Sequence, residues 1–427
     1  MKHSKILSIV LLVLVTTGFF VRYTVVPHEK HPKSYGKSDF AVFYATGKVL
    51  LADGNPYDEK TLKKTIRQYR KYNGGWRFLY PPAAGLIFIP LSFFKIKQAI
   101  WIWYTVSILC LGLMIYLLQR IRKRRFSALE LSAIAALCIV FAPIFTNLRL
   151  GQVNILLTLI FVLHLFAISK KKVWLAGVSL ATLISFKIFP GILLFYYLLR
   201  RDWKIIGYTL LSGIGIFVLS ILLLGTQVHI EYLSVLLSLS NQIGLVAKDL
   251  VKFDNATIYG SVLRILTYWQ GGPPFEGWQT TVATIVRGIG SIGIFVALTI
   301  ATMRNRKQPP HIIEVTLWIG FTLLAATEIH TQYFLYYLPM LIMLLLYPPV
   351  AFTKKRNSIL ILIATLLIGY SFRRVLPTFI KDTPGMLISY AFIGHLILLY
   401  VLVPWLLNKR EYSEEDISPL ATGEKKT

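Results

Sequence analysis

Acidic residues are scarce in this 427-residue sequence, 19 against 46 Lys and Arg, and charged residues of either sign make up only 15% of it. With 55% hydrophobic residues and a mean hydropathy of +0.61, too little polar surface is left for a water-soluble protein of this length. There are two cysteines, Cys110 and Cys138, each inside an apolar run and without metal-ligand spacing. They define neither a disulfide framework nor a paired-cysteine metal site. P-loop, GxSxG and HExxH patterns are missing, which removes the familiar NTPase and hydrolase signatures, and no metal or cofactor is expected. After the first apolar run, Ile6 to Val21, no small-x-small cleavage site follows, so that run reads as an uncleaved anchor rather than a signal peptide.

Apolar runs near the length that crosses a bilayer recur instead, from Ile6 to Val403. A net charge of +27 on a soluble domain would point to nucleic acid, but here the cations cluster between the apolar runs. That arrangement encodes topology, and no nucleic-acid partner is expected. The clusters are Lys2 and Lys5, Arg120 to Arg125, Lys170 to Lys172, Arg200 to Lys204, Arg304 to Lys307, Lys354 to Arg356, and Lys409 with Arg410. Placing all of them in the cytoplasm requires an even number of spans between neighbours. About twelve spans satisfy this, at about 6–26, 98–119, 127–145, 152–169, 173–186, 188–199, 204–224, 279–302, 311–326, 332–350, 357–371 and 385–407. The expected fold is an all-α polytopic membrane bundle with both termini inside and a single membrane domain over 1–410. It has a long first extracytoplasmic loop at about 27–97, a second at about 225–278, and a disordered cytoplasmic tail over 411–427. The spans at 173–186 and 188–199 are short and fit as a thin hairpin with Lys187 at its tip. The Pro-broken stretch Leu79 to Phe94 reads as re-entrant or interfacial.

Polar residues that interrupt apolar sequence are costly in a membrane, so they mark candidate sites. They are Asp39; Asn147, Arg149, Gln152 and Asn154 in NLRLGQVN; Lys187 in SFKIFPG; Asn241 and Gln242; and Glu328, His330 and Gln332 in TEIHTQY. All fall on the outer face of the topology drawn from charge alone. Asp39 reads equally as a helix N-cap and as a carboxylate whose pKa an apolar setting raises toward a general base's range. Lys187 reads either as a snorkelling lysine or, at an outer tip where cations are disfavoured, as the partner of an anionic phosphate. Gln152 and Asn154 have a capping or interhelical role as the alternative, and His330 that of a satisfied bundle histidine.

In order along the chain, SDFAVFYATGKVLLADGNPYD, LYPPAAGLIFIPLSFF, GQVNILLTL, KIFPGILLFYYLLRRDW, SNQ and EIHTQYFLYYLPML resemble glycosyltransferase family 87, over about 35–345. The resemblance implies a GT-C-like fold and an inverting transferase at the extracytoplasmic face of the cell membrane. Its partners would be a polyprenyl-phosphate sugar, a hexose and foremost mannose, and a lipid or glycan acceptor of the envelope. It makes Asp39 the catalytic base and places His330 near the active site. Lys187, Gln152, Asn154, Arg149, Asn241, Gln242 and Tyr44 are then the substrate-binding candidates. The late histidine often lies in a Ser-Pro-rich segment in this family, whereas here it lies in ATEIHTQY. A sugar on phosphate already has an anionic leaving group, so one base and a cation at the phosphate suffice, without a paired general acid. The alternative from another class is a transporter or lipid flippase, which would place ionisable groups at mid-membrane in paired broken helices.

Overall fold

The computed structural model describes residues 39–69, 77–241, 250–251, 255–267, 276–349, 352, 355–370 and 389–408. The first expected span, Gln242, the side chain of Asn241 and the tail over 411–427 lie outside the described residues. Every described element is helical.

Helices α1 (Asp39–Leu51) and α2 (Glu59–Tyr69) open the described chain, and a broken apolar helix α3 (Pro82–Ser92) follows. Then come α4 (Ile96–Arg122), α5 (Ala128–Val140), α6 (Ala142–Leu150), α7 (Asn154–Ser169), α8 (Val173–Phe186) and α9 (Ile192–Arg200). The second half holds α10 (Trp203–Leu224), α11 (Thr226–Asn241), α12 (Ile258–Thr267), α13 (Gly277–Asn305) and α14 (Ile312–Ala325). A 3₁₀ stretch over Thr331–Tyr337 leads into α15 (Leu338–Leu346), and α16 (Lys355–Gly369) and α17 (Tyr390–Leu407) close the bundle.

Local sequence explains the boundaries. Ser127 and Glu130 form a reciprocal capping box that starts α5. Phe141 leaves the helical region and Pro143 follows in the first turn of α6, bending the α5–α6 pair by 58°. Among the described residues four helices, α4, α10, α13 and α17, are long and apolar enough to cross a membrane, and the bent pair makes a fifth if counted as one. Among the described residues the other expected spans coincide with shorter apolar helices, such as Asn154–Ser169, Val173–Phe186, Phe189–Arg200, Ile312–Ala325 and Thr331–Leu346, below the ~20 residues of a typical span. Turn residues split them: Gly151 before α7, Pro190 before α9 and Pro339 at the start of α15. The stretch expected to be re-entrant folds as consecutive helical pieces of 4, 3 and 4 residues, packed on α1.

Helices α10 and α13 turn apolar side chains outward, among them Leu211, Leu222, Ile289 and Ile292. This is the surface a lipid solvent accepts and water does not. The interior is rich in aromatics, with Trp318, Phe161, Phe334 and Tyr336 fully enclosed. Helix α7 runs from Asn154 to Ser169, and Lys170 beyond it has Lys123 and Arg120 as electrostatic neighbours. Two of the basic clusters therefore meet at one end of the bundle. Asn154, at the other end, borders the cavity described next.

Candidate functional site

Helix α1 carries a carboxylate in its first turn, where the helix dipole favours it, and is otherwise almost wholly buried. Its Phe40 lies directly beneath Gly151, which terminates α6 in the left-handed conformation (φ +65°). A Cβ at Gly151 would fall 2.5 Å from the Phe40 Cβ, so only glycine satisfies both the turn and the close approach. The Trp103 indole donates to the Gly151 carbonyl at 3.0 Å. Asn147 brackets the same turn: its amide donates to the Gln152 carbonyl (3.0 Å), and its Oδ1 accepts from the Asn154 backbone N–H (3.0 Å). The NLRLGQVN segment is thus a helix end and a helix start tied together, and it delivers Gln152 to Asp39.

The Gln152 amide nitrogen donates to Asp39 Oδ2, and its oxygen accepts from the Tyr80 hydroxyl at 2.9 Å. Lys187 sits in extended backbone between α8 and the turn before α9, with 8% of its surface exposed. Its ammonium donates to Asn154 Oδ1 at 2.8 Å and lies 3.9 Å from the Tyr333 ring centroid and 5.1 Å from that of Tyr80. Burial pulls the Lys187 pKa down to about 7, partly opposed by the charge of Asp39. Burial likewise raises the Asp39 carboxyl above its ordinary range, against the Gln152 hydrogen bond and the charges of His330, Lys187 and Arg149.

These groups face a cavity of about 390 Å³ whose lining includes Asp39, Gln152, Lys187, His330, Tyr80 and Tyr333. Phe43, Phe186, Phe189 and Tyr232 supply aromatic wall. His330 precedes the 3₁₀ stretch with its Nε2 3.5 Å from Glu328 Oε1. The chain leading to it is fastened by Asn255, whose amide donates to the Thr327 carbonyl (3.1 Å) and whose Oδ1 accepts from the Ile329 N–H (3.2 Å).

The remaining candidates are placed differently. Asn154 serves the site through Lys187 rather than by lining it. Arg149 is exposed and outside the lining, although its charge reaches Asp39. Tyr44 lies outside the lining too, and its hydroxyl donates to the Phe94 carbonyl at 2.7 Å. Four polar cavity residues escaped the reading by residue type: Arg77, Tyr80, Tyr232 and Tyr333. Tyr80 and Tyr333 stand inside the quoted LYPP and IHTQY segments, where an aromatic beside a turn or beside His330 was the available signal. Arg77 has no such mark. It pairs with Glu59 of α2 at the rim.

The profile of glycosyltransferase family 87 matches residues 78–327. The chain belongs to glycosyltransferase family 87. Among curated relatives is a polyprenol-phosphate-mannose-dependent alpha-(1-2)-phosphatidylinositol pentamannoside mannosyltransferase of Mycolicibacterium smegmatis. It is 26% identical over 197 residues, 46% of this chain and 46% of the relative. A protein of the same description from Mycobacterium tuberculosis is 23% identical over 273 residues, 63% of this chain and 58% of the relative. An alpha-(1->3)-arabinofuranosyltransferase of Corynebacterium glutamicum is 27% identical over 168 residues, 36% of this chain and 40% of the relative. The family 87 chain thus spans about half the length of the first two relatives it matches. The profile match contains Gln152, Asn154 and Lys187 and leaves Asp39 and His330 outside. What joins those two to the family 87 segment is the cavity itself.

Proposed function

We propose that this protein is a membrane glycosyltransferase that moves a hexose, mannose foremost, from a polyprenyl phosphate to a hydroxyl of an envelope lipid or glycan. The reaction runs at the extracytoplasmic face of a bundle of about twelve spans. One observation carries the reading: the Asp39 carboxylate, the sole one lining the cavity among the described residues, and a buried lysine, Lys187, face one aromatic-walled cavity together with His330. Family membership and the polyprenol-phosphate-mannose dependence named for two relatives support the donor class.

In the step proposed, the acceptor oxygen attacks the anomeric carbon from the side opposite the phosphate. The carbon–oxygen bond to phosphate breaks and its electron pair leaves with the phosphate oxygen. The acceptor's proton passes to the Asp39 carboxylate, giving an inverted glycoside and free polyprenyl phosphate. Because the leaving group is already anionic, it needs charge stabilisation rather than a proton, and the Lys187 ammonium is the group suited to supply it. Tyr80 and Tyr333 hold that ammonium on their ring faces and help keep it desolvated, which strengthens its attraction for phosphate. His330, half-exposed at the rim, is suited to bind phosphate or to pass the acquired proton to solvent.

The test is transfer by the purified full chain in lipid vesicles, with radiolabelled polyprenyl-phosphate mannose as donor and envelope lipid extract as acceptor. Polyprenyl-phosphate arabinose runs in parallel because one relative is an arabinofuranosyltransferase. Label entering the acceptor fraction from the mannose donor is the expected result. Label entering from the arabinose donor alone would replace the hexose with a pentose, and movement of intact donor across the vesicle without transfer would favour a flippase.

A further inference from the structure

A carboxylate that serves as base must do so with a defined oxygen. Both oxygens of a free carboxyl are equivalent until something distinguishes them. Asp39 Oδ2 accepts the Gln152 amide, and among the described residues Oδ1 accepts no hydrogen bond. A glutamine amide has two nearly isosteric ends, one donating and one accepting, and a flipped amide would aim its oxygen at the carboxylate. The ionised Asp39 carboxylate can only accept, so it takes the amide N–H end, and Gln152 Oε1 is left to accept from the Tyr80 hydroxyl at 2.9 Å, which holds the amide in that orientation. Gln152 is itself held by the backbone, its N–H bonded to the Asn147 carbonyl at 2.9 Å and its carbonyl bonded to the Asn147 amide. Tyr80 in turn sits between fixed partners, since its own carbonyl accepts the Tyr57 hydroxyl at 2.6 Å and its ring packs edge-on against Phe43, 5.3 Å between centroids.

We propose that Tyr80 and Gln152 form a positioning relay that orients the Asp39 carboxylate and leaves Oδ1 as the oxygen that takes the acceptor's proton. This rests on the reading of Asp39 as the base. It assigns Gln152 to the enzyme's own machinery rather than to substrate, and it gives Tyr80 a role its distance in sequence from Asp39 conceals. The relay also sets the proton affinity of the base. An amide donor favours the ionised carboxylate, so removing it leaves the acid form more stable. A glutamate in its place adds a like charge and pushes further the same way.

The test is an infrared difference titration of purified full-length protein in lipid nanodiscs, with the Asp39 carboxyl identified as the band lost in Asp39→Asn. It needs no donor or acceptor, so it decides the relay even if the transfer assay fails. Gln152→Leu is expected to raise the midpoint about tenfold in proton affinity, Gln152→Glu by more, and Tyr80→Phe by less. Where transfer is measurable, the acid limb of kcat/KM should move upward with the midpoint while donor KM holds, and Gln152→Glu should regain activity as the pH is raised. An unmoved midpoint in both Gln152→Leu and Gln152→Glu, at wild-type unfolding temperature, would overturn the proposal. A raised donor KM with an unmoved acid limb would do the same and make Gln152 a substrate ligand. Tyr80→Phe keeps the ring and its packing, so it serves if a Gln152 variant does not fold.

Discussion

Lys187 and Arg200 lie at the two ends of the segment that contains α9, and both are buried cations, 8% and 7% exposed. Their surroundings differ. Arg200 pairs with Asp202 at 3.3 Å and with the fully buried Glu314 at 3.6 Å, and it donates to the carbonyls of Asn305 and Gln308. The Tyr196 hydroxyl donates to the same Glu314 oxygen at 3.3 Å, and the Asn305 amide reaches the Leu406 carbonyl at 2.7 Å. This knot ties α9, α13, α14 and α17 together and commits most of its guanidinium donors. The Lys187 ammonium has three donors and gives one to Asn154, with ring faces beside it and a 390 Å³ cavity in front. Burial of a charge alone does not mark a functional site. What separates the two cations is donor capacity, committed at Arg200 and left over beside the cavity at Lys187.

The sharpest break in this comparison is Asp39→Asn. The amide keeps the shape of the carboxyl and still suits the first turn of α1, so folding and donor binding should persist while transfer falls by about 10²–10⁴-fold. Turnover by that variant close to wild type would reduce Asp39 to a helix cap. At the other region, Arg200→Ala leaves Glu314 buried without its cation and should cost about 3–5 kcal/mol, seen as a lowered unfolding temperature in detergent. Activity per folded molecule should remain. If Arg200→Ala instead abolished activity in folded protein, the distinction between the two regions would fail.

Lys187→Ala should raise donor KM by about ten- to a hundredfold, the range of a hydrogen bond to a charged group, and Lys187→Arg by less. With a pKa pulled to about 7, the ammonium is present below that pH and lost above it. Donor kcat/KM in the free enzyme should therefore decline as pH rises through about 7, and the decline should vanish in Lys187→Arg. An unchanged KM in the alanine variant would leave Lys187 as an interfacial anchor. The smallest perturbation tests which end faces which side. With Cys110 and Cys138 replaced by alanine, Lys123→Cys should react with membrane-impermeant reagent only from the cytoplasm, and a cysteine at exposed Arg149 only from outside. Labelling of position 123 in intact cells would invert the topology.

The membrane character, the all-helical class and the polar interruptions were legible because apolar periodicity and charge clustering are local properties of sequence. The partnership of Asp39, Gln152, Lys187 and His330 in one cavity was legible only as a shared expected face. Tyr80, Tyr333 and Arg77 were not legible, since a tyrosine in apolar sequence is ordinary core until its neighbours are known. Asn154 shows the limit from the other side. It is a substrate-binding candidate with an interhelical amide contact as the alternative, and its Oδ1 accepts from Lys187, 33 positions away.

Local pattern locates apolar runs better than it locates helix ends. The run 332–350 is apolar over nearly a bilayer's thickness, but the 3₁₀ stretch at 331–337 and Pro339 interrupt its helix beside the cavity. Hydropathy sums composition and does not see where a backbone must turn to bring a side chain to a site. The sequence by itself determined that this chain is helical, partitions into lipid and carries its cations in clusters, because each of those follows from residue type and neighbours along the chain. Which carboxylate oxygen is held, which lysine keeps spare donors and which arginine has committed its own were decided by tertiary structure, because hydrogen bonds between residues 72, 113 and 33 positions apart exist only once the helices have packed.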